Sequence, residues 1–394
     1  MRASLAVRET TRRVLFVTSL VHLTNDACFA LLYPLLPLIA ADFHLSYAQV
    51  GLLKATFASA QSVFQIPVGV LGERAGEALI LLAGNTWVGI GLGAMALAGG
   101  YGALLAIAGL AGLGGNAQHP LANAIVSRAY GRARRATALG TLNFAGDVGK
   151  FLGPLAVGLI AVRWGWRAAL VAVGGATAAF SLALLTRRRA ALPVDPSSRG
   201  ASDVTAADDR TRPGFSLLLL IGALDSATRG AALTFLPFLF ARQGVSAAGI
   251  SALFSLIFAA GAAGKFLCGW LGDRWGTLAV ILGTELVTAG ALIGFIAVPA
   301  PAIIPLALAF GFALNGTSSV LTAAVAHFIP AHRRARGYGA YFTATLVSSA
   351  LAPLAYGALG DATDLTTVFA TMAALTAAIL LPLMPIRAAL LATE

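Results

Sequence analysis

Eight ionisable side chains stand inside stretches that are otherwise apolar over membrane-spanning lengths. They are the acids Asp26, Asp147, Asp225 and Glu285 and the bases Lys54, Lys150, Arg229 and Lys265. Each costs ~2.5–3.5 kcal/mol at the centre of a membrane helix, so such groups face a cavity or a partner rather than lipid. Loss of water favours the protonated form of a buried carboxyl, which suits it to taking up and releasing a proton. Asp147–Lys150 and Asp225–Arg229 are spaced for pairing on one helix face, and Lys265 with Glu285 is a further candidate pair. Lys54 lies about two turns from a span end, where its stem could snorkel. Asp26 differs from the rest: it has no base on its own span, and its neighbour one turn below is His22.

Helical spacing gathers other polar residues around these charges. His22, Asp26, Phe29 and Tyr33 share one face, as do Gly112, Asn116, His119 and Asn123, and again Asn143, Asp147, Lys150 and Pro154. Milder stripes follow at Asn315, Ser318, Ser319 and Thr322, and at Tyr338, Tyr341, Thr345 and Ser348. Polar stripes on apolar helices imply a wet cavity. The expected proton-handling groups are Asp26, Asp147 and His119. Expected substrate contacts are His22, Asn25, Phe29, Tyr33, Lys54, Asn116, His119, Asn143, Lys150, Asp225, Arg229, Asn315 and Tyr341. The bases hint at an anionic solute, a pull that the acids cancel wherever they remain paired.

The elements that must hold these groups are membrane helices. Hydrophobic residues make up 58% of the 394 positions and charged residues only 11%, against about 25% charged in a soluble domain. The apolar runs are helix-long rather than the ten-residue alternating segments of a β-barrel. The pattern predicts twelve transmembrane helices, in an all-α fold of two pseudo-symmetric six-helix bundles. The first half covers 1–186 and the second 215–394. Between them, 187–214 mixes Pro, Ser and Asp with alanine and reads as a cytoplasmic linker unable to bury a core.

The net charge of +11 does not point to nucleic acid, because of where it sits. Most Lys and Arg fall in the N-terminal arm, the even-numbered loops and the C-terminal tail, and only Arg163, Arg167 and Arg242 fall in the opposite loops. That bias places both termini in the cytoplasm. The clusters at Arg132–Arg135 and His332–Arg336 read as topology determinants near anionic lipid. Frequent Ala and Arg with few Lys suggest a GC-rich bacterial genome, hence a multi-pass protein of the inner membrane. Cys28 and Cys268 lie in separate spans and imply neither disulfide nor metal. The first span is too long and too polar for a signal peptide and is expected to remain in the mature chain. No nucleotide loop, metal-ligand spacing or Ser/His arrangement indicates an enzyme, and no cofactor is implied.

A turn occurs twice at one offset. Gly69-Val70-Leu71-Gly72-Glu73-Arg74-Ala75-Gly76 returns as Gly269-Trp270-Leu271-Gly272-Asp273-Arg274-Trp275-Gly276, so the chain is two copies of one membrane half. This turn resembles the loop motif of the major facilitator superfamily, with Glu73 where that family has Asp, and the resemblance runs over essentially the whole chain. It implies a conformational latch at Gly69, Gly72, Glu73, Arg74 and Gly76, and at Gly272, Asp273 and Arg274. In the fifth span Gly140, Gly149, Gly153, Pro154 and Gly158 are similar to the antiporter motif of drug/proton exchangers, with Val157 as the one departure. Glycines so spaced allow close approach of a helix that must rock. The family's arginine on the fourth span is absent, replaced by Ala108. His22-Leu23-Thr24-Asn25-Asp26 and Gly114-Gly115-Asn116-Ala117-Gln118-His119-Pro120 look like the fosmidomycin-resistance type of exporter, departing at Leu121.

The resemblance implies drug-resistance-type efflux of a small organic molecule in exchange for protons, by alternating access in a monomer embedded in the bilayer. The alternatives are a proton- or cation-coupled importer of a small organic anion and a membrane sensor on a transporter scaffold.

Overall fold

The computed structural model describes residues 2–130, 132–192, 214–297, 299, 302–329 and 334–391. Most of the linker at 187–214 and part of the second basic cluster lie outside the described residues. Those described are helical throughout, with no strand among them, as backbone in lipid requires: each N–H and C=O must find its partner within its own segment.

The helices, in order, are α1 (Arg2–Ala30), α2 (Leu32–Phe43), α3 (Tyr47–Ala60), α4 (Gln65–Ala75), α5 (Glu77–Met95), α6 (Tyr101–Leu113), α7 (Gln118–Ala129) and α8 (Arg132–Thr186). After them come α9 (Arg188–Ala191), α10 (Phe215–Arg242), α11 (Ala247–Trp275), α12 (Thr277–Ala297), α13 (Ile303–Phe328), α14 (Arg334–Ala362), α15 (Leu365–Ala378) and α16 (Leu380–Leu391). They trace the twelve predicted spans, several of them broken. The first span is α1–α2, parted at Leu31 ahead of Pro34 and Pro37; the second is α3–α4. The fourth is α6 and α7 joined by a 3₁₀ turn at Gly114–Ala117, and α15–α16 form the last. Conversely, the fifth and sixth run on as α8, divided by the positive φ of Gly165 (80°). Nine stretches among the described residues are long and apolar enough to cross a membrane.

The sequence repeat is also a repeat of backbone geometry. Gly76 and Gly276 take φ of 103° and 89°, closing α4 and α11 as their amides donate hydrogen bonds to the carbonyls of Gly72 and Gly272. Tyr130 and Ile329 end α7 and α13 in the same extended geometry. Ser46 and Ser246 each accept from the amide three residues on, at Gln49 and Gly249.

Contacts divide the chain into two compact units, 1–39 with 56–201 and 40–55 with 202–394. In the first, Val14, Val21, Leu81, Leu121 and Leu142 belong to a shared apolar core. In the second, Ile221, Ile281, Leu321, Phe328 and Leu383 do the same.

Candidate functional site

The first unit is organised around α1 and the first part of α8, and glycine decides how near they come. A Cβ at Gly149 would collide with the Leu23 carbonyl, and one at Gly153 would lie 2.6 Å from that of Ala27. One turn earlier, a Cβ at Gly146 would lie 2.7 Å from Asp26 Oδ2 and 2.8 Å from His22 Nε2. The glycines of the motif-like run thus put α8 directly on the face of α1 that carries His22 and Asp26.

That approach assembles a charge cluster. Lys150 Nζ lies 3.1 Å from Asp26 Oδ2 and 3.2 Å from Asp147 Oδ1, so one ammonium serves two carboxylates. His22 Nε2 is 3.5 Å from Asp26 Oδ2, its ring meets His119 edge-on at 5.4 Å, and its buried Nδ1 has no partner. Asp26 and His22 are buried, Asp147 and Lys150 are partly so, and His119 is exposed. Asp26 has no base on its own helix, and its base arrives from α8. With neutral histidines, Asp26, Asp147 and Lys150 carry one net negative charge. The cluster can accept one proton or one cationic group. His22, Asp26 and His119 also bring ligand atoms within 4.8 Å of one another, but Lys150 already occupies the Asp26 carboxylate, which disfavours a cation there.

Other predicted contacts of this unit lie elsewhere. The stripe from Gly112 to Asn123 does not form one face, because the 3₁₀ turn rotates its two ends apart. Asn116 is fully buried and spends its amide on backbone: Oδ1 accepts from Phe64 N at 2.8 Å, and Nδ2 donates to the carbonyls of Ala60 and Leu113. It holds the break between α3 and α4. Asn25 Nδ2 donates to Asn85 Oδ1 at 3.1 Å, and Asn85 donates to Thr24 and Ser181, a buried network apart from the charges. Phe29 stacks on Phe57 at 4.6 Å. Tyr33 is half-buried on α2, and Asn143 is exposed one turn before Asp147. Lys54, buried, is counted with the second unit.

A second buried cluster lies within the second unit. Arg229 Nη2 donates to Asp225 Oδ2 at 2.6 Å along α10. Glu285 of α12 is buried, and its Oε1 has no hydrogen-bond partner. Tyr341 of α14 packs on Gly222, where a Cβ would sit 3.0 Å from its hydroxyl oxygen. Asn315 is half-buried on α13 and donates to the Gly311 carbonyl.

The repeated turn also differs in detail from expectation. Glu73 and Arg74 are exposed, and the ion pair that ties neighbouring helix ends is Glu77 of α5 with Arg128 of α7. Burial pushes the Arg128 guanidinium below the usual arginine range, with the Glu73 carboxylate pulling the other way. Gly72 lets α4 settle on Leu121, and Gly69 has nothing within 4 Å to accommodate. In the second copy Asp273 and Arg274 are exposed, the latter 5.8 Å from the Trp270 ring centroid, and Gly272 touches only Val320 at 4.0 Å. In α8 Gly140 is likewise open, while Pro154 and Gly158 are buried. Lys150 as the partner of Asp26, and Glu77–Arg128, escaped sequence reading because both join residues distant in the chain.

Comparison with known proteins follows the same lines. The fosmidomycin resistance protein of Escherichia coli K12 is 32% identical over 163 residues, which is 41% of this chain and 40% of that one. The multidrug resistance protein MdtG of Yersinia enterocolitica is 32% identical over 161 residues, 40% of this chain and 39% of that one. The hexuronate transporter of Bacillus subtilis is 31% identical over 137 residues, 35% and 32% of the two chains. The chain thus spans about two-fifths or less of the length of these relatives. Two solved structures share the fold: a bacterial homologue of the human lysosomal transporter Spinster (TM-score 0.75, 18% identity, 96% of each chain). The other is the nucleoside transporter NupG (TM-score 0.79, 14% identity, 95% of this chain and 99% of that one). The sequence pattern of the Major Facilitator Superfamily fits residues 18–217 and 218–392, so this chain, with its helical repeat and buried charges, belongs to that superfamily of membrane transporters and is not an enzyme.

Proposed function

We propose that this transporter exports a small organic molecule in exchange for protons, by alternating access, from the bacterial inner membrane as a monomer with both termini cytoplasmic. The observation that carries the reading is Lys150 shared between Asp26 and Asp147. Two carboxylates with one ammonium leave a charge that a single proton neutralises, on Asp26 or on His22 beside it. A desolvated site with a net charge is costly, so the proton stabilises the occluded cluster and its loss favours opening. Coupling requires only that the two states differ in proton affinity, one pKa unit being worth about 1.4 kcal/mol. Glycines 146, 149 and 153 support the same reading, since they let α8 bear on α1 at the charged face. Efflux-type relatives favour export. Candidate substrate contacts are His22, Phe29, Tyr33, Asn143 and Lys150 in the first unit and, taken by themselves, Asp225, Arg229 and Tyr341 in the second. Asn116 and Asn25 are assigned to holding the fold.

The test is lumenal pH in inverted vesicles under an imposed proton gradient, with a panel of organic anions and cations. Compound-driven proton efflux from the lumen, lost in Asp26→Asn, is the expected result. Proton movement that survives the substitution moves coupling to Asp147 or His119. The importer reading rests on the hexuronate transporter relative. Proton and solute moving in the same direction would establish it and reject antiport.

A further inference from the structure

Two neighbouring groups at the heart of the first-unit cluster are able to hold its proton, the Asp26 carboxylate and the His22 imidazole 3.5 Å away. They differ in what already surrounds them. Asp26 Oδ2 faces Lys150 Nζ at 3.1 Å as well as His22 Nε2. The imidazole has one nitrogen engaged and one not. Its Nε2 faces Asp26 with α8 close against it, since a Cβ at Gly146 would lie 2.8 Å from that atom. Its Nδ1 is buried, in a residue only 3% exposed, and has no hydrogen-bond partner among the described residues.

A proton placed on Asp26 would exchange its charge-assisted contacts for weaker neutral ones. A proton placed on Nδ1 leaves Nε2–H and Lys150 on the carboxylate and strengthens both contacts, because the ring becomes a cation. Two cations then stand against the two carboxylates, and the cluster has no net charge. Asp26 and His119 face His22 directly, and Lys150 and Asp147 join it through Asp26. The helices packed against α1 are α5, α7, α8 and α9. Glu77 and Arg128 sit at the ends of α5 and α7, and the arginines of α8 and α9 lie at 132–135, 163–167 and 188–189, toward the ends of their spans. Loading Nδ1 requires water, and α1 and α7 bury further polar atoms without partners. Ser19 Oγ lies one turn before His22, and Gln118, 1% exposed and next to His119, has neither amide atom bonded. Buried polar atoms of this kind are answered by ordered water in folded proteins.

We infer that His22 carries the coupling proton, on Nδ1, and that Asp26 is its fixed counter-ion rather than the carrier. A hydronium ion gives its proton to the Nδ1 lone pair and leaves as water. The ring becomes an imidazolium with Nε2–H still directed at Asp26. Release is the reverse: the proton passes from Nδ1 to water, and the neutral ring keeps the tautomer it began with. The place of this proton in a transport cycle rests on the antiport reading, but the identity of its carrier does not.

Acid-induced difference infrared spectroscopy of the purified full-length protein, with and without isotope-labelled histidine, separates the two carriers. The expected result is a set of isotope-sensitive imidazolium bands that is missing from His22→Gln, with no protonated-carboxyl C=O band that depends on Asp26. Ring bands unchanged in His22→Gln, or a C=O band missing from Asp26→Asn, overturn the proposal. Asp26→Asn also serves if His22→Gln fails to fold, because it keeps the ring and removes its counter-ion. Proton uptake by the ring is expected to weaken there by at least about tenfold, and unchanged uptake rejects the counter-ion role. In inverted vesicles His22→Gln is expected to abolish compound-driven proton movement, and movement at the wild-type level removes His22 from the cycle. If no compound moves protons in the wild type while the ring bands behave as stated, antiport fails and the carrier stands.

Discussion

At the scale of residues, the first-unit cluster is a problem of charge balance. Lys150 lies within 3.2 Å of two carboxylates, so Lys150→Met removes the ammonium that both share. Removing one partner of a buried pair costs about 3–5 kcal/mol. Thermal unfolding in detergent is expected to show that loss, with partial recovery in the double variant Lys150→Met/Asp26→Asn, because one orphaned charge goes with it. Strictly additive effects would mean that the two groups do not interact. Asn116 makes a different prediction. Its three bonds to backbone hold the break between α3 and α4, at about 0.5–1.5 kcal/mol each. Asn116→Ala is expected to lower stability by roughly 2–3 kcal/mol, while binding of any identified substrate by the folded protein stays near the wild-type value.

At the scale of elements, the glycines separate close packing from motif membership. Gly149 and Gly153 have the backbone of α1 where a Cβ would go, whereas Gly140 and Gly69 face open space. Overpacking a tight contact costs about 1–3 kcal/mol. Gly149→Ala and Gly153→Ala should therefore destabilise the protein and depress transport, and Gly140→Ala and Gly69→Ala should be close to silent in both. Equal effects at all four would indicate that motif position matters more than contact. For the repeated turn, Glu77 rather than Glu73 pairs with Arg128. Glu77→Gln should lower the melting temperature more than Glu73→Gln, and the reverse order would contradict the pairing.

At the scale of the molecule, residues 40–55 pack with the second unit although they follow α1 in the chain. Asp361, near the end of α14, caps the start of α3: Ser46 Oγ donates to it at 2.7 Å, and the amides of Tyr47 and Ala48 at 2.7 and 2.9 Å. Beyond the cap, Gly51 meets Pro353 and Gly357 meets Tyr47, with no room for a side chain at either glycine. A cap contributes about 1 kcal/mol. Asp361→Ala is expected to speed amide hydrogen exchange over 47–50 by several-fold, up to about tenfold, and unchanged exchange there would show that the glycine contacts alone hold the segment.

Membrane location, helix count and internal repeat were legible in the chain because each depends on local composition and on spacing along one helix. Apolar length sets the spans, and the recurrence of Gly69–Gly76 at Gly269–Gly276 marks the two halves. Asp26, Lys150, Asp225 and Arg229 stood out because a charge among apolar residues must be answered by something. What answers it was decided only in three dimensions. Lys150 reaches Asp26 because Gly149 and Gly153 bring two remote helices together, and Asn116 turns from cavity to backbone because the fourth span breaks into a 3₁₀ turn. Periodicity fixes which residues share a face, but the partner of that face is chosen by packing, and packing couples residues whose separation along the chain carries no signal.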